Sequence, residues 1–215
     1  MIIEIFALAL ASTVRPTSVA AVYALLSQDA PRRLMSVYVA AGLAFTLAFG
    51  AVVLAATQGI HIQSGTDKAI ADLVGGVLAL VFGFGVLTGL IQGRHSGDAP
   101  GGRVQTALGR RLTIRTAALA GPVTHIPGLF YVIALNVIIA HNAALAGQAV
   151  ALVVYNAIWF ALPILALLTC ITDPDAARHL VSAVKRWTHD HAREILLVAS
   201  FSVGTALVTR GALGL

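Results

Sequence analysis

The chain has few charged residues and almost no cysteine. Charged residues make up 11% of its 215 residues, against 58% hydrophobic residues, which is too little charge for an ordinary soluble domain. The single cysteine, Cys170, excludes an internal disulfide and any metal site that needs two cysteines. Together with the long apolar runs, these shortages indicate an integral membrane protein.

Several enzyme and binding motifs are also missing. The sequence has no Walker-type phosphate loop, so we do not expect the chain to hydrolyse ATP. It has no Gly-x-Ser-x-Gly, no His-Glu-x-x-His and no pair of carboxylates inside its apolar runs, so an enzyme is the less favoured interpretation. The basic residues form no stripe interleaved with aromatic residues, and we therefore expect no nucleic-acid partner. No metal or cofactor is predicted.

Six segments are apolar and long enough to be membrane spans, which need about 20 mostly apolar residues. They are residues 2–26, 34–57, 69–92, 114–140, 148–171 and 194–214. The first carries Glu4 and has no basic residue before its apolar run, which favours a span over a signal peptide. The sequence therefore predicts an all-α integral membrane protein with six transmembrane helices.

Basic residues are concentrated on alternate connectors between these spans. Eleven Lys and Arg residues belong to one set of connectors, and only Lys68 and Arg210 belong to the other side. The basic set comprises residues 27–33, 93–113 and 172–193, counted together with Arg115 at the membrane edge. Because basic connectors stay in the cytoplasm, we expect these three loops to be cytoplasmic and both termini to be extracytoplasmic, in a plasma (inner) membrane.

Two cytoplasmic connectors have a character of their own. Residues 93–111 are rich in Gly, Pro and polar residues, a composition typical of a mobile loop. Asp173, Pro174 and Asp175 are typical of a helix start, and apolar residues then recur at helical spacing opposite basic ones. We therefore expect an amphipathic helix over residues 173–193, lying on the inner membrane surface between the fifth and sixth spans.

The chain divides into two halves of three spans each. Residues 1–92 form the first, residues 93–113 the basic loop, and residues 114–215 the second half, which includes the amphipathic helix. Because three is odd, the halves enter the membrane from opposite sides, and such inverted repeats carry transporter binding sites at interrupted helices. Both halves contain Thr-x-x-Pro in their first span, at residues 13–16 and 124–127, which are offset by 111 positions.

Polar residues interrupt the first and fourth spans at these motifs. Pro122 and Pro127 each remove a backbone donor, so we expect them to kink or break the fourth span. Arg15 would cost about 2.5 to 3.5 kcal/mol at the bilayer centre, so we expect it to face a polar cavity and hold an anionic group, aided by free backbone amides. The candidate binding or translocation residues are Thr13, Arg15, Pro16, Thr17, Tyr38, Thr124, His125, Pro127 and Asn136.

The role of His125 stays open at this stage. A lone histidine in a span can simply donate to a backbone carbonyl, or it can take part in substrate binding or proton coupling. Asn136 lies three helical turns further on and could share the face of His125 if the helix resumes after Pro127. Tyr38, Asn156 and Trp159 are weaker candidates, because hydrogen bonds between helices explain them adequately.

Two stretches make the chain similar to a known family. GPVTHIPGLFYVIALNVI in the fourth span and DAPRRLMSVYVAAG after the first span resemble the peptidoglycolipid addressing protein (GAP) family of the lysine exporter (LysE) superfamily. The most distinctive part is Thr-His-x-Pro-Gly at residues 124–128. The resemblance implies a six-span actinobacterial plasma-membrane protein that helps to export cell-envelope glycolipids or related small molecules. The first span departs from it, with STVRPT where an asparagine is expected before the proline.

Three functions remain open from the sequence. The leading hypothesis is a secondary-type transporter that exports a cell-envelope (glyco)lipid precursor or a small anionic metabolite. The second is a membrane-embedded transferase or hydrolase of envelope lipids or glycans, with His125 as general base and Thr124 or Ser12 as nucleophile. The third is an accessory subunit of a larger lipid-export complex. The expected partners are membrane lipids and the anionic substrate. Gly85-x-x-x-Gly89 permits close helix contact, with packing inside the bundle favoured over contact with a second copy of the chain.

Overall fold

The computed structural model describes residues 2–13, 15–58, 65–88, 112–141 and 144–214. Within these ranges the chain forms nine α-helices and no strand. The helices are α1 (Ile2–Thr13), α2 (Pro16–Leu26), α3 (Pro31–Gln58), α4 (Gly65–Leu87), α5 (Ile114–Thr124), α6 (Leu129–His141), α7 (Leu145–Trp159), α8 (Ala161–Thr172) and α9 (Pro174–Gly214). The predicted loop over residues 93–113 lies outside the described residues except for its last two.

Two of the described helices contain segments long and apolar enough to cross a membrane by themselves, Pro31–Thr57 in α3 and Arg193–Gly214 in α9. Three bent pairs also qualify if each pair counts as one span, which gives up to five. These pairs are α1 with α2, α5 with α6, and α7 with α8, bent by 57°, 66° and 63°. The apolar part of α4, Asp72–Leu87, is shorter, and the predicted third span ends outside the described residues. The protein is thus all-helical and membrane-embedded.

The first and fourth predicted spans are both interrupted near their Thr-x-x-Pro motifs. Arg15 is the extended residue before α2, and Pro16 occupies the first helical position, where a missing N–H costs nothing. Between α5 and α6, the chain turns at His125 and is non-helical through Gly128. Pro122, in contrast, lies inside α5. The break therefore contains Pro127, and Pro122 is accommodated within the last turn of α5 before it.

The fifth predicted span, residues 148–171, is also broken, which we did not predict. The chain turns at Phe160, between α7 and α8. Pro163 lies in the first turn of α8 and cannot donate to the carbonyl of Trp159 four residues back. This proline was the sequence signal for the break.

The predicted amphipathic surface helix over residues 173–193 is not a separate helix. It forms the first part of α9, which runs 41 residues to Gly214, because no proline follows Pro174 and the first glycine is Gly204. Ala177 and Val181 are fully buried, in a hydrophobic cluster with residues of α2 and α8. The apolar face therefore packs on protein rather than on lipid.

Helices α4 and α9 pack closely against each other along a line of glycines. A Cβ atom built on Gly76 would lie 2.8 Å from the backbone nitrogen of Val208, and one on Gly211 would lie 2.7 Å from the carbonyl oxygen of Ala69. Contacts between residues 69 and 211 and between 76 and 204 make the two helices antiparallel. Gly76 of the third predicted span and Gly211 of the sixth therefore serve packing within the chain.

Candidate functional site

Arg15 connects the two helix breaks. It lies between α1 and α2, and its Nη1 donates a hydrogen bond of 2.9 Å to the carbonyl oxygen of Ile126, in the break between α5 and α6. Its guanidinium carbon lies 5.1 Å from the ring centroid of Trp159, within cation–π range. A Cβ atom on Gly128 would lie 2.7 Å from Arg15 Nη2. Glycine at this position thus leaves room for the guanidinium group.

Arg15 lies between helix ends: α1 ends at Thr13 and α5 at Thr124, and helix C-termini carry a partial negative charge. Helix α2 begins immediately after Arg15, and α6 begins immediately after Gly128. The first turn of a helix leaves backbone N–H groups without intrahelical partners and carries a partial positive charge. Among the residues that the structure describes, no carboxylate forms an ion pair with Arg15. The N-termini of two helices, the C-termini of two others and Arg15 therefore meet at one place.

A buried hydrogen-bond network lies behind Arg15. The Thr124 hydroxyl donates to the carbonyl oxygen of Ala120 at 2.7 Å and lies 2.8 Å from the Tyr38 hydroxyl. The Tyr38 hydroxyl lies 3.3 Å from the Ser18 hydroxyl, which lies 3.4 Å from His125 Nε2. The network joins α2, α3 and the α5–α6 break through side chains, so it fixes the position of the break against the bundle.

His125 closes the end of α5. Its Nδ1 lies 3.0 Å from the carbonyl oxygen of Gly121, and because a carbonyl only accepts, the proton belongs on Nδ1. Its ring stacks on Phe160 with centroids 4.0 Å apart, and Trp159 and Tyr38 pack at its edge. The side chain is 1% exposed. This enclosure gives His125 a helix-capping contact and leaves no room beside it for a substrate.

A second polar pair lies nearby, between α1 and α7. The hydroxyl groups of Ser12 and Tyr155 are 2.6 Å apart and buried.

The Thr13 hydroxyl donates to the carbonyl oxygen of Ala9 in its own helix at 3.0 Å. Pro16 and Thr17 form the first two positions of α2, and Thr17 is exposed.

Asn136 does not join this site. Its Nδ2 donates to Asp72 Oδ1 at 3.3 Å, and Asp72 accepts two hydrogen bonds from Arg210, at 2.6 and 2.7 Å. Arg210 also contacts Glu4, with 3.6 Å between Nη1 and Oε1. The expectation that no two carboxylates meet among the apolar runs was therefore wrong, because Glu4 and Asp72 come from different helices and share one arginine.

The structure thus brings together part of the predicted set. Arg15, Tyr38, Thr124 and His125 line or adjoin the α5–α6 break, and Pro127 lies within it. Sequence reasoning missed Ser18 and Phe160, which contact His125 directly. Ser18 lies one helical turn after Arg15, a spacing that could have indicated it, whereas nothing in the sequence indicates the Phe160 contact.

The chemistry available at this site is anion binding. A guanidinium group offers several N–H donors in a planar fork that suits carboxylate, sulfate or phosphate oxygens. Across the described ranges, no group of three His, Cys, Asp or Glu side chains could hold a metal ion.

Comparison with known proteins gives one match. A family model described as "Sap, sulfolipid-1-addressing protein" matches residues 5–212, a range that reaches every helix of the structure. Neither the curated proteins nor the solved structures include a match to this chain.

Proposed function

The chain belongs to the sulfolipid-1-addressing protein family, and on that premise we propose that it is a small secondary-type transporter that exports an anionic lipid or glycolipid precursor. Membership implies a role in lipid addressing or export. The family name refers to a sulfolipid, and lipids of that class carry a negative charge. We extend this chemistry to the present chain because its central feature is an arginine suited to an anionic head group.

The observation that carries the proposal is the state of Arg15. The side chain is half-buried, no described carboxylate forms an ion pair with it, and α2 and α6 begin beside it with backbone N–H groups that have no intrahelical partner. An unpaired arginine costs about 2.5 to 3.5 kcal/mol in the middle of a membrane span on insertion scales. A bound anion would offset that cost, so the site is built to be occupied by negative charge.

The proposal includes six spans in two inverted repeats, over residues 1–92 and 114–215, joined by the loop over residues 93–113. Arg15 bonds to Ile126, a separation of 111 positions, which is the offset of the two Thr-x-x-Pro motifs. Contact between equivalent positions is expected near a two-fold axis.

Helix pairing supports the same relation. If α1 corresponds to α5, α2 to α6, α3 to α7 with α8, and α4 to α9, contacts should occur in matching pairs. Three sets of contacts do: α3–α5 matches α7–α1, α2–α3 matches α6–α7, and α4–α6 matches α9–α2. Among the described residues, the contacts of α9 with α8 and with α1 have no counterpart of similar extent. In this arrangement the termini are extracytoplasmic, the basic connectors are cytoplasmic, and the protein lies in the plasma membrane. A gradient supplies the energy, because the sequence has no phosphate loop.

Two further parts of the proposal concern the wider family and the binding partners. Kinship with the GAP family and the LysE superfamily rests on the motif at residues 124–128. The proposed partners are membrane lipids, with a second copy or a larger export complex as possible assemblies. A catalytic role for His125 has less support, because its ring is enclosed by Phe160, Trp159 and Tyr38.

A transport assay in reconstituted vesicles tests the proposal. We expect Arg15→Gln to abolish movement of a fluorescent anionic lipid between leaflets, because glutamine keeps a polar side chain and removes the charge. Arg33→Gln is the matched control, since Arg33 is exposed at the start of α3 and should leave transport unchanged. Undiminished transport by folded Arg15→Gln protein would contradict the proposal. A stoichiometric partner that co-purifies and is required for transport would replace it with the accessory-subunit hypothesis.

A further inference from the structure

The side of the Arg15 site that faces outward is apolar and exposed. Ile126, whose carbonyl accepts from Arg15, is 57% exposed. Val123, in the last turn of α5, is 63% exposed, and Val132, in the first turns of α6, is 55% exposed. Leu119 continues this strip one turn earlier along α5, at 68%. The arginine therefore lies beside a surface that contacts lipid tails in a membrane.

The side that faces inward is closed. Three aromatic side chains behind Arg15 are buried: Trp159 is 2% exposed, Tyr155 1% and Phe160 0%. They pack on one another with ring centroids 5.8 to 6.0 Å apart, and interiors of this kind leave few voids larger than a water molecule. A small anion from water would have to pass these buried rings and the buried hydrogen bonds that join Ser18, Tyr38 and Thr124.

The depth of Arg15 in the membrane also bears on how a ligand reaches it. Helix α1 has 12 residues and α2 has 11, so each extends about 16 to 18 Å at 1.5 Å per residue. Their junction at Arg15 is therefore near the middle of a hydrocarbon core about 30 Å thick. A lipid whose head group lies at this depth can keep its acyl chains against the exposed side chains of Leu119, Val123, Ile126 and Val132.

From these observations we infer that the Arg15 site opens sideways to the bilayer and takes an amphiphile: an anionic head group binds Arg15 while its acyl chains stay in the surrounding lipid. The inference rests on the proposed function and adds the route by which the lipid reaches Arg15, which is from the bilayer rather than from water. It follows because the charge of Arg15 lies beside an exposed apolar surface and in front of buried side chains.

Trp159 provides a native reporter for this inference. The chain has two tryptophans, and Trp187 is 53% exposed on α9, so Trp187→Phe leaves a single tryptophan beside Arg15. The purified variant is placed in lipid nanodiscs of phosphatidylcholine that contain a minor fraction of a lipid brominated near its head group. That lipid is phosphatidylglycerol in one sample and phosphatidylcholine in the other, and quenching of Trp159 fluorescence is compared.

We expect brominated phosphatidylglycerol to quench Trp159 more strongly, with an apparent preference of about fivefold, the factor set by one basic residue near an anionic lipid. Arg15→Gln should reduce the preference to none, and Arg15→Lys should retain most of it. Circular dichroism of each variant confirms folding. The parent comparison stands by itself even if Arg15→Gln fails to fold.

Two results would overturn the inference. The first is the absence of any dependence on Arg15: the two brominated lipids quench Trp159 equally in the parent protein, or the stronger quenching by phosphatidylglycerol persists in folded Arg15→Gln. The second is a change of Trp159 emission on adding inorganic sulfate, dependent on Arg15, without preference between the lipids. This second result would reject sideways lipid entry yet leave an anion-binding site, and so would separate the failure of the inference from failure of the proposed function.

Discussion

At the scale of single residues, Gly128 matters because of what it leaves room for. A Cβ atom at residue 128 would lie 2.7 Å from Arg15 Nη2, which is too close for any residue except glycine unless the arginine moves. Arg15 Nη2 is the far end of a flexible side chain, so a methyl group at residue 128 moves the guanidinium rather than the backbone. Gly128 is therefore a positioning residue for Arg15.

We predict that Gly128→Ala reduces transport of anionic lipid strongly while the protein stays folded. The added methyl group displaces the guanidinium from Ile126 and Trp159, and the stability change should stay within about 1 kcal/mol. Transport in vesicles and thermal unfolding in detergent measure the two effects. Gly75→Ala is the control, because it adds the same methyl group on α4, where a Cβ atom would meet only Leu207 and Ile133 at ordinary contact distances. Normal transport by Gly128→Ala would show that the position of Arg15 is not critical.

A second prediction at this scale concerns the ion pair between Asp72 and Arg210. Asp72 is 6% exposed and Arg210 31%, and removing one partner of a buried pair costs up to about 3 to 5 kcal/mol because the other charge is left behind. Asp72→Asn should therefore lower the free energy of unfolding by a sizeable part of that amount, as measured by denaturant titration in detergent.

The control for this prediction is Asp175→Asn. Asp175 pairs with Arg178 on the exposed start of α9, at 77% and 40% exposure, and exposed pairs contribute about 0 to 1 kcal/mol. Equal effects of the two substitutions would mean that the Asp72–Arg210 pair is not buried in the folded protein.

At the scale of helices, the contact between α4 and α9 depends on residues with no side chain. Gly76 and Gly204 bring the two backbones together, since a Cβ atom on Gly76 would lie 2.9 Å from the carbonyl oxygen of Gly204. Small residues at such seams let helices pack closely in membranes, where burial of apolar surface alone gives little driving force. The third and last predicted spans are held together in this way.

We predict opposite effects for alanine at two adjacent glycines of α4. Gly76→Ala forces α4 and α9 apart and should lower the free energy of unfolding by about 1 to 3 kcal/mol. At Gly75 a Cβ atom would meet only Leu207 and Ile133, at 3.8 and 4.0 Å, so Gly75→Ala should raise it by about 0.5 to 1 kcal/mol. Denaturant unfolding followed by circular dichroism gives both signs. A similar loss at both positions would argue against the close seam.

At the scale of the whole molecule, α9 is longer than a membrane is thick. Its 41 residues extend about 60 Å, twice the hydrocarbon core of about 30 Å. Its last 22 residues are apolar enough to span, so the earlier part extends past the membrane. There Arg178 donates to the carbonyl oxygen of Leu26 at the end of α2, and Arg32 donates to that of Cys170 near the end of α8. Among the residues that the structure describes, most of the basic ones belong to this end of the bundle.

Cysteine labelling tests the proposed orientation. In a Cys170→Ala background, Leu213→Cys and Ala183→Cys place one thiol at each end of α9, both on exposed positions. We expect a membrane-impermeant maleimide to label Leu213→Cys in intact cells, and Ala183→Cys only after permeabilisation. The reverse pattern would invert the topology, and labelling of both from outside would mean that α9 does not cross the membrane.

The sequence by itself determined the membrane character, the helical class and the interruption of the first and fourth spans, because these follow from composition and from where proline and arginine occur. It also identified Arg15, Thr124 and His125, since polar residues in an apolar run are conspicuous. The break at Phe160 could have been predicted from Pro163.

Only the tertiary structure decided which side chains meet. It joined Asn136 to Asp72 and Arg210 rather than to His125, and it joined residues 173–193 to the last span, with their apolar face against protein. It also stacked Phe160 on His125 and brought Arg15 to the break between α5 and α6. These contacts join residues far apart in the chain, and they depend on how helices cross and rotate, which the periodicity of one helix does not encode.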